Sequence, residues 1–281
     1  MSRDTINKAI EAALVADAYS LGSHWIYDEN QLKTLDVNWE ELNAPHAMWH
    51  KGKSKGDFTH YGDQAKWLLR FVRDNGRFDI QNYGGLWLDN MQEYEGYIDG
   101  SSRETMKILE ADPRSNTGSA SDDLSIIGRI APLLLVSSSK EEFLAQTEEF
   151  VAFTHNSPLV LKAAALFASV LYDVCNGESI ASALANSSPD PELKSAFDAG
   201  LNSRGEDSFI AIRNFGPACG VEGGFEGTIH LLASYDDYKE AMIANAKAGG
   251  DNSARGMIVG MIMGAAGKEV PASWKEDTKG L

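Results

Sequence analysis

Gly256, Gly260 and Gly264 recur at every fourth position of the run "ARGMIVGMIMGA". Drawn as a helix, they share one face. Each costs about 1 kcal/mol of helix stability relative to alanine, so a close contact must offset them. A small-residue membrane helix is excluded by length, because Met257 to Ala266 falls short of the ~20 apolar residues a bilayer needs. What remains is a soluble helix pressed against a neighbour, with the polar triplet Asp251-Asn252-Ser253 at its N-terminus. The small side chains Ala163, Ala164 and Ala168 make the segment Leu159 to Cys175 the expected neighbour.

The other segments with clear periodicity are also helical. Ile6, Ile10, Ala13, Leu14, Ala18 and Leu21 keep amphipathic spacing up to Gly22. Gln64 to Val72 places Trp67, Leu68 and Phe71 on one face and stops at Gly76. Ser157-Pro158 opens a helix that is apolar on most faces and therefore central. Tyr235 to Ala248 starts on Asp236 and Asp237 and closes on Gly249-Gly250. No window alternates as a strand does. Asp28 to Gly62 and Phe215 to Gly227 read as long irregular loops, the kind that carry function in a compact helical protein. With no linker or repeat, the expectation is one all-α domain over residues 1–281.

Charge narrows the partners. With 41 acidic and 25 basic side chains, the chain carries −16 and repels nucleic acid and anionic membranes. A small ligand remains open, since a helix N-terminus binds anions locally. Cys175 and Cys219 build neither a disulfide framework nor a cysteine-only metal site. The charged, amphipathic start lacks a signal core, so a cytoplasmic protein is expected.

Polar residues gather in five places: Asp17 with His24-Trp25; His60, Tyr61, Asp63 and Gln64; Asp122 and Asp123; Thr154-His155; and Asp251 to Ser253. Carboxylates at three helix starts suit divalent-metal or glycosidic chemistry. Each is also an ordinary N-cap, worth about 1 kcal/mol and needing no function. His24 and His155 read equally as satisfied core histidines. Asp17 is harder to dismiss, because an acid inside an apolar helix requires a partner.

The order of these clusters resembles the ADP-ribosylglycohydrolase family. "VADAYSLG" stands for the family's first-helix motif and "HYGDQAKWLL" for its Thr-Asp-Asp-Thr run. "RIAPLL" from Arg129 and Thr154-His155 follow in order, and "GGDNSARGMIVGMIMGAAGKEVPASW" matches the closing Gly-Gly-Asp-Thr-Asp-Thr, small-residue helix and Ile-Pro-x-x-Trp. The resemblance covers nearly the whole chain. It implies a compact, single-domain, multi-helix orthogonal bundle and hydrolysis of a ribosyl or ADP-ribosyl glycosidic bond, with a small molecule or ADP-ribosylated group as substrate.

The departures bear on chemistry. The family holds two magnesium or manganese ions with its two aspartate runs. Aligned on Gln64, the first run reads His60, Tyr61, Gly62, Asp63; in the second, Asp251 is kept while Asn252, Ser253 and Ala254 replace Thr, Asp and Thr. The resemblance thus implies no metal pair and at most one weakly held cation at Asp251. Asp251 and Asp63 would supply the carboxylates, and His60 or His155 the proton. Asp17, His24, Asp123, Gln64, Asn252 and Ser253 would hold the substrate. The alternative is an inactive binding or structural member that keeps the cleft. "HWIYD" from His24 places the chain near an altered branch that includes lens-crystallin relatives.

Overall fold

Side-chain caps and buried apolar stripes decide where the helices lie in the computed structural model, which describes all 281 residues. Helices and turns carry the whole chain; β-pairing is limited to the isolated bridges Ile26–Gly250, Ser119–His155 and Asp123–Gly220. The first helix, Arg3–Ser20, is capped by Ser2. His60–Asn75 starts four residues earlier than its apolar spacing predicts, because Thr59 caps it, and Gly76 ends it with φ of 65°. Pro158–Cys175 opens on the Ser157 cap as expected. This helix is long and apolar enough to cross a membrane, yet its apolar side chains pack against Lys140–Thr154 and Asn252–Ala265. The Tyr235 segment becomes helical only at Tyr238, with Asp237 as its cap.

Both segments read as irregular contain short helical pieces. Glu29–Lys33 and a 3₁₀ turn at Met48–His50 lie in the first. In the second, Val221–Ser234 begins helically but breaks at Glu222 and Gly223, where φ reaches 85°. The aspartates Asp122 and Asp123 precede 3₁₀ turns, Leu124–Arg129 and Ala131–Leu135, rather than an α-helix.

All fourteen residues of the glycine helix, Asn252–Ala265, are buried. Its close neighbour is not the expected Leu159–Cys175 segment but the first helix. A Cβ on Gly260 would lie 2.8 Å from both the Ala12 carbonyl and the Ala16 Cβ, and one on Gly264 would lie 2.5 Å from the Lys8 carbonyl. The glycines therefore admit backbone as well as side chains, which the run of alanines in Pro158–Cys175 did not reveal. Ala12 and Ala16 supply the complementary small surface. The C-terminus locks onto the first helix and the loop after it: Trp274 stacks on Tyr19 at 3.9 Å, and its indole N–H donates to the Glu40 carbonyl at 2.8 Å.

Gly260→Leu should overpack this contact and cost ~1–3 kcal/mol or more. Urea unfolding measures it, and a variant as stable as the parent would remove the close-packing explanation.

Candidate functional site

Three chain segments are stitched together at the N-terminus of the glycine helix. Gly250 N–H donates to the Ile26 carbonyl (2.7 Å), Trp25 N–H to the Gly250 carbonyl (2.8 Å) and Asp251 N–H to the Pro217 carbonyl (2.8 Å). Leu124 N–H reaches the Cys219 carbonyl at 2.8 Å. These bonds set Asp251, Asp123 and Cys219 face to face, each with one donor atom within 4.8 Å of the others. Trp25 alone among non-glycine residues has positive φ, 65°. Such a conformation costs of order 1–3 kcal/mol and persists only where the surroundings impose it.

Asp251 is fully buried and caps its helix through the Ala254 N–H at 3.0 Å. Its carboxylate also meets His24 Nε2 (3.0 Å), the Tyr61 hydroxyl (2.9 Å) and the Trp25 indole N–H (3.4 Å). Burial alone would raise its pKa, but His24 and these donors hold it well below the usual carboxylate range. His24 Nδ1 in turn lies 3.0 Å from His50 Nε2. Burial, with His24 and His60 nearby, pushes His50 down to about 2, so it is neutral.

Asp123 has the opposite environment. One oxygen accepts the Ser125 N–H at 2.8 Å, and no basic side chain pairs with it. Burial and the charge of Asp251 push it up to about 7. The Cys219 thiol is pushed up by burial and by both aspartates.

The remaining predicted residues find other polar partners, although the His60 ring packs beside the Asp251 group, 4.1 Å from Tyr61 and 5.2 Å from Trp25. Asp17 is buried, accepting from Thr59 N–H (2.8 Å), Thr59 Oγ1 (2.6 Å) and Ser253 Oγ (2.5 Å). Asn252 turns away to Ser23 Oγ at 2.7 Å. Gln64 accepts from Arg129 Nη1 (2.7 Å) and the Trp87 indole (3.2 Å). His60 Nε2 lies 3.3 Å from Asp99, and neither ring nitrogen makes a hydrogen bond. His155 Nδ1 meets Thr154 Oγ1 at 2.8 Å, and burial beside Arg129 pushes the ring down to about 3. Asp63 stands apart: it pairs with Lys53 at 2.5 Å and accepts the Tyr94 hydroxyl, sharing no hydrogen-bond partner with Asp251. Asp63 is thus engaged by Lys53 and Tyr94, and the carboxylate grouped with Asp251 is Asp123.

Residues 2–280 match the ADP-ribosylglycohydrolase family. The chain belongs to that family. Crystallin J1A of Tripedalia cystophora is 25% identical over 97% of this chain and 91% of its own length, and crystallin J1B of the same organism is 24% identical over the same shares. A solved structure described as an ADP-ribosylglycohydrolase-related protein complex superposes with a TM-score of 0.79 at 19% identity, over 98% of this chain and 92% of its own. This likeness establishes the all-α ADP-ribosylglycohydrolase fold.

Sequence reasoning passed over Cys219, His50, Asp99 and the ligating role of Tyr61. They come from unrelated elements, a 3₁₀ turn, two helix starts and a loop, so their spacing carries no pattern. A cavity of about 680 Å³, lined by Val174, Ile180, Leu184, Leu201, Arg204 and Lys268 among others, shares no residue with the Asp251 group. The group instead sits in a shallow recess where Asp123 and Cys219 keep partial exposure.

An acid whose pKa is raised by folding keeps its proton in the native state after the unfolded chain has lost it. Between about pH 4 and pH 7, Asp123 should therefore make stability fall as pH rises. Urea midpoints measured across that window should drop more steeply for the parent than for Asp123→Asn. Parallel curves would remove the assigned shift.

Proposed function

We propose that the chain is a glycosidic-bond hydrolase acting on a ribosyl or ADP-ribosyl linkage, with Asp123 and Asp251 as its working carboxylates. The observation that carries the reading is their facing geometry in environments that drive them to opposite protonation states. Two such carboxylates divide the roles of acid and anion between them. Asp123, protonated up to about pH 7, gives its proton to the leaving atom as the bond to the sugar carbon breaks. Asp251, held ionised, faces the positive charge that develops on that carbon. Water then completes the sugar, and its proton returns to Asp123. A separation within 4.8 Å is nearer the ~5–5.5 Å of retaining glycosidases than the ~6.5–9.5 Å of inverting ones. Burial disfavours the charged forms of His60 and His155, so neither is assigned the proton.

The family's magnesium or manganese pair does not fit these side chains. Tyr61 donates to Asp251, Ser253 donates to Asp17, and Asp63 is engaged by Lys53. Hydroxyl donors occupy the carboxylates where hard cations need free oxygens. The one remaining donor set, Asp123, Cys219 and Asp251, includes a soft sulfur that suits zinc better than magnesium. No catalytic step is routed through a metal here.

A second reading, a structural or binding protein without turnover, draws on the relatives named crystallins. One assay separates the two. ADP-ribosyl-arginine hydrolysis is expected to survive chelator, to fall above about pH 7, and to drop about 10²–10⁴-fold in Asp123→Asn. Isothermal titration should find at most one magnesium or manganese ion, weaker than about 1 mM. Chelator-abolished activity, or two tightly bound ions, would restore the family's metal mechanism. No turnover of any ribosyl conjugate, with or without metal, would leave the structural reading.

A further inference from the structure

The recess carries aromatic surface that neither the core nor the proposed chemistry uses. Trp25 and Tyr27 flank Ile26, which bridges to Gly250. Both aromatics stand next to the carboxylates. The Trp25 indole N–H lies 3.4 Å from Asp251, and burial, with the charge of Asp251 nearby, raises the Tyr27 hydroxyl pKa. Trp25 has imidazoles stacked against it, His24 at 4.6 Å and His50 at 5.4 Å, yet it keeps partial exposure. Tyr97 meets it edge-on at 4.9 Å, and Trp49 extends the wall from Tyr97 at 5.9 Å. Trp49 is 52% exposed and Tyr27 42%. Large aromatics are rarely left this exposed around a strained backbone without a ligand to cover them.

The chemistry of the wall selects its occupant. A ring face attracts flat rings and, through its quadrupole, cations. Asp251, which the Trp25 indole meets at 3.4 Å, has Asp123 within 4.8 Å, a carboxylate without a cationic partner. An anionic ring would be repelled there, and a neutral ring would gain only stacking. We propose that Trp25, Tyr27 and Tyr97, with Asp123 close by, form a subsite for a flat, positively charged heteroaromatic ring of the pyridinium type. The ligands it selects are flat heteroaromatic cations that meet Asp123 in its ionised form. This goes beyond the hydrolase reading, since a quaternary ring nitrogen takes no proton and makes no use of Asp123 as an acid. The binding itself is testable whether or not the chain turns over.

The probe is the 1-methylnicotinamide cation, compared with neutral nicotinamide and the nicotinate anion by tryptophan fluorescence and calorimetry at about pH 8, where Asp123 is ionised. The cation should bind about tenfold more tightly than the neutral ring, and nicotinate more weakly than either. Asp123→Asn should shrink the cation's advantage to about twofold while leaving nicotinamide unchanged. Trp25→Leu should weaken both rings about tenfold. Because Trp25 sits at an unusual φ, Tyr97→Leu repeats the test at a position of ordinary backbone, with circular dichroism as the check on folding. Equal affinity for cation and neutral ring in the parent would overturn the proposal. So would absence of cation binding up to about 10 mM, or parent-like binding by folded Tyr97→Leu. None of these outcomes depends on hydrolysis, so failure of the subsite and failure of the hydrolase reading are told apart.

Discussion

A buried carboxylate joins the parts that make the site. Asp17, on the first helix, accepts from the Thr59 backbone and hydroxyl and from the Ser253 hydroxyl, so it ties together the N-termini of two other helices. An ionised group placed in a core without donors costs several kcal/mol or neutralises itself. Three donors within 2.8 Å offset part of that cost, and burial still raises the Asp17 pKa. Gly62 lets the arrangement close, because a Cβ there would come within 2.2 Å of Asp17 Oδ2. If the knot loosened, the His60 and Asn252 helices would lose their common anchor, and with it the placement of Tyr61 against Asp251.

The same knot gives a physical reason for the altered motifs. By the family resemblance, Tyr61, Gly62 and Ser253 stand where metal-binding aspartates belong. Carboxylates crowded together need cations between them. Here each replacement removes that need: Tyr61 and Ser253 contribute hydroxyl donors to Asp251 and Asp17, and Gly62 makes room for Asp17 itself. The substitutions are thus mutually consistent. A single reversion, such as an aspartate at Ser253, would set two buried carboxylates against each other without a counter-ion.

The legible part of the fold was its periodic part. The glycine stripe, the alanine-rich first helix and the capped Ser157-Pro158 helix each carry their signal within one segment. Which helix faced the glycines was not legible, because alanines occur on both candidates and only tertiary packing chooses between them. The site was half visible for a similar reason. Asp251, His24 and Asp123 were marked by polar residues next to apolar runs. Pairing Asp251 with Asp63 followed the register of a motif, whereas the structure gives Asp63 to Lys53 and brings Asp123 across instead. That contact depends on the Asp123–Gly220 and Ile26–Gly250 bridges, single backbone pairings that leave no periodic trace.

The polar groups can be sorted by how completely they are satisfied. Asp17 has a donor for each of its oxygens and no route to solvent, which marks a structural carboxylate. Asp251 is almost as well served, but its donors include an imidazole linked to a second imidazole and an indole on a strained backbone. Asp123 is the least satisfied, with one local N–H, no cation and a partly exposed surface. Stability alone gives no reason to hold such a group opposite a second carboxylate, since replacing it with asparagine would relieve the repulsion. The strain at Trp25 and the repulsion at Asp123 act against folding at adjacent points of one recess. A site that concentrates such costs beside exposed aromatic surface has the form expected when a ligand, and not the fold, completes it.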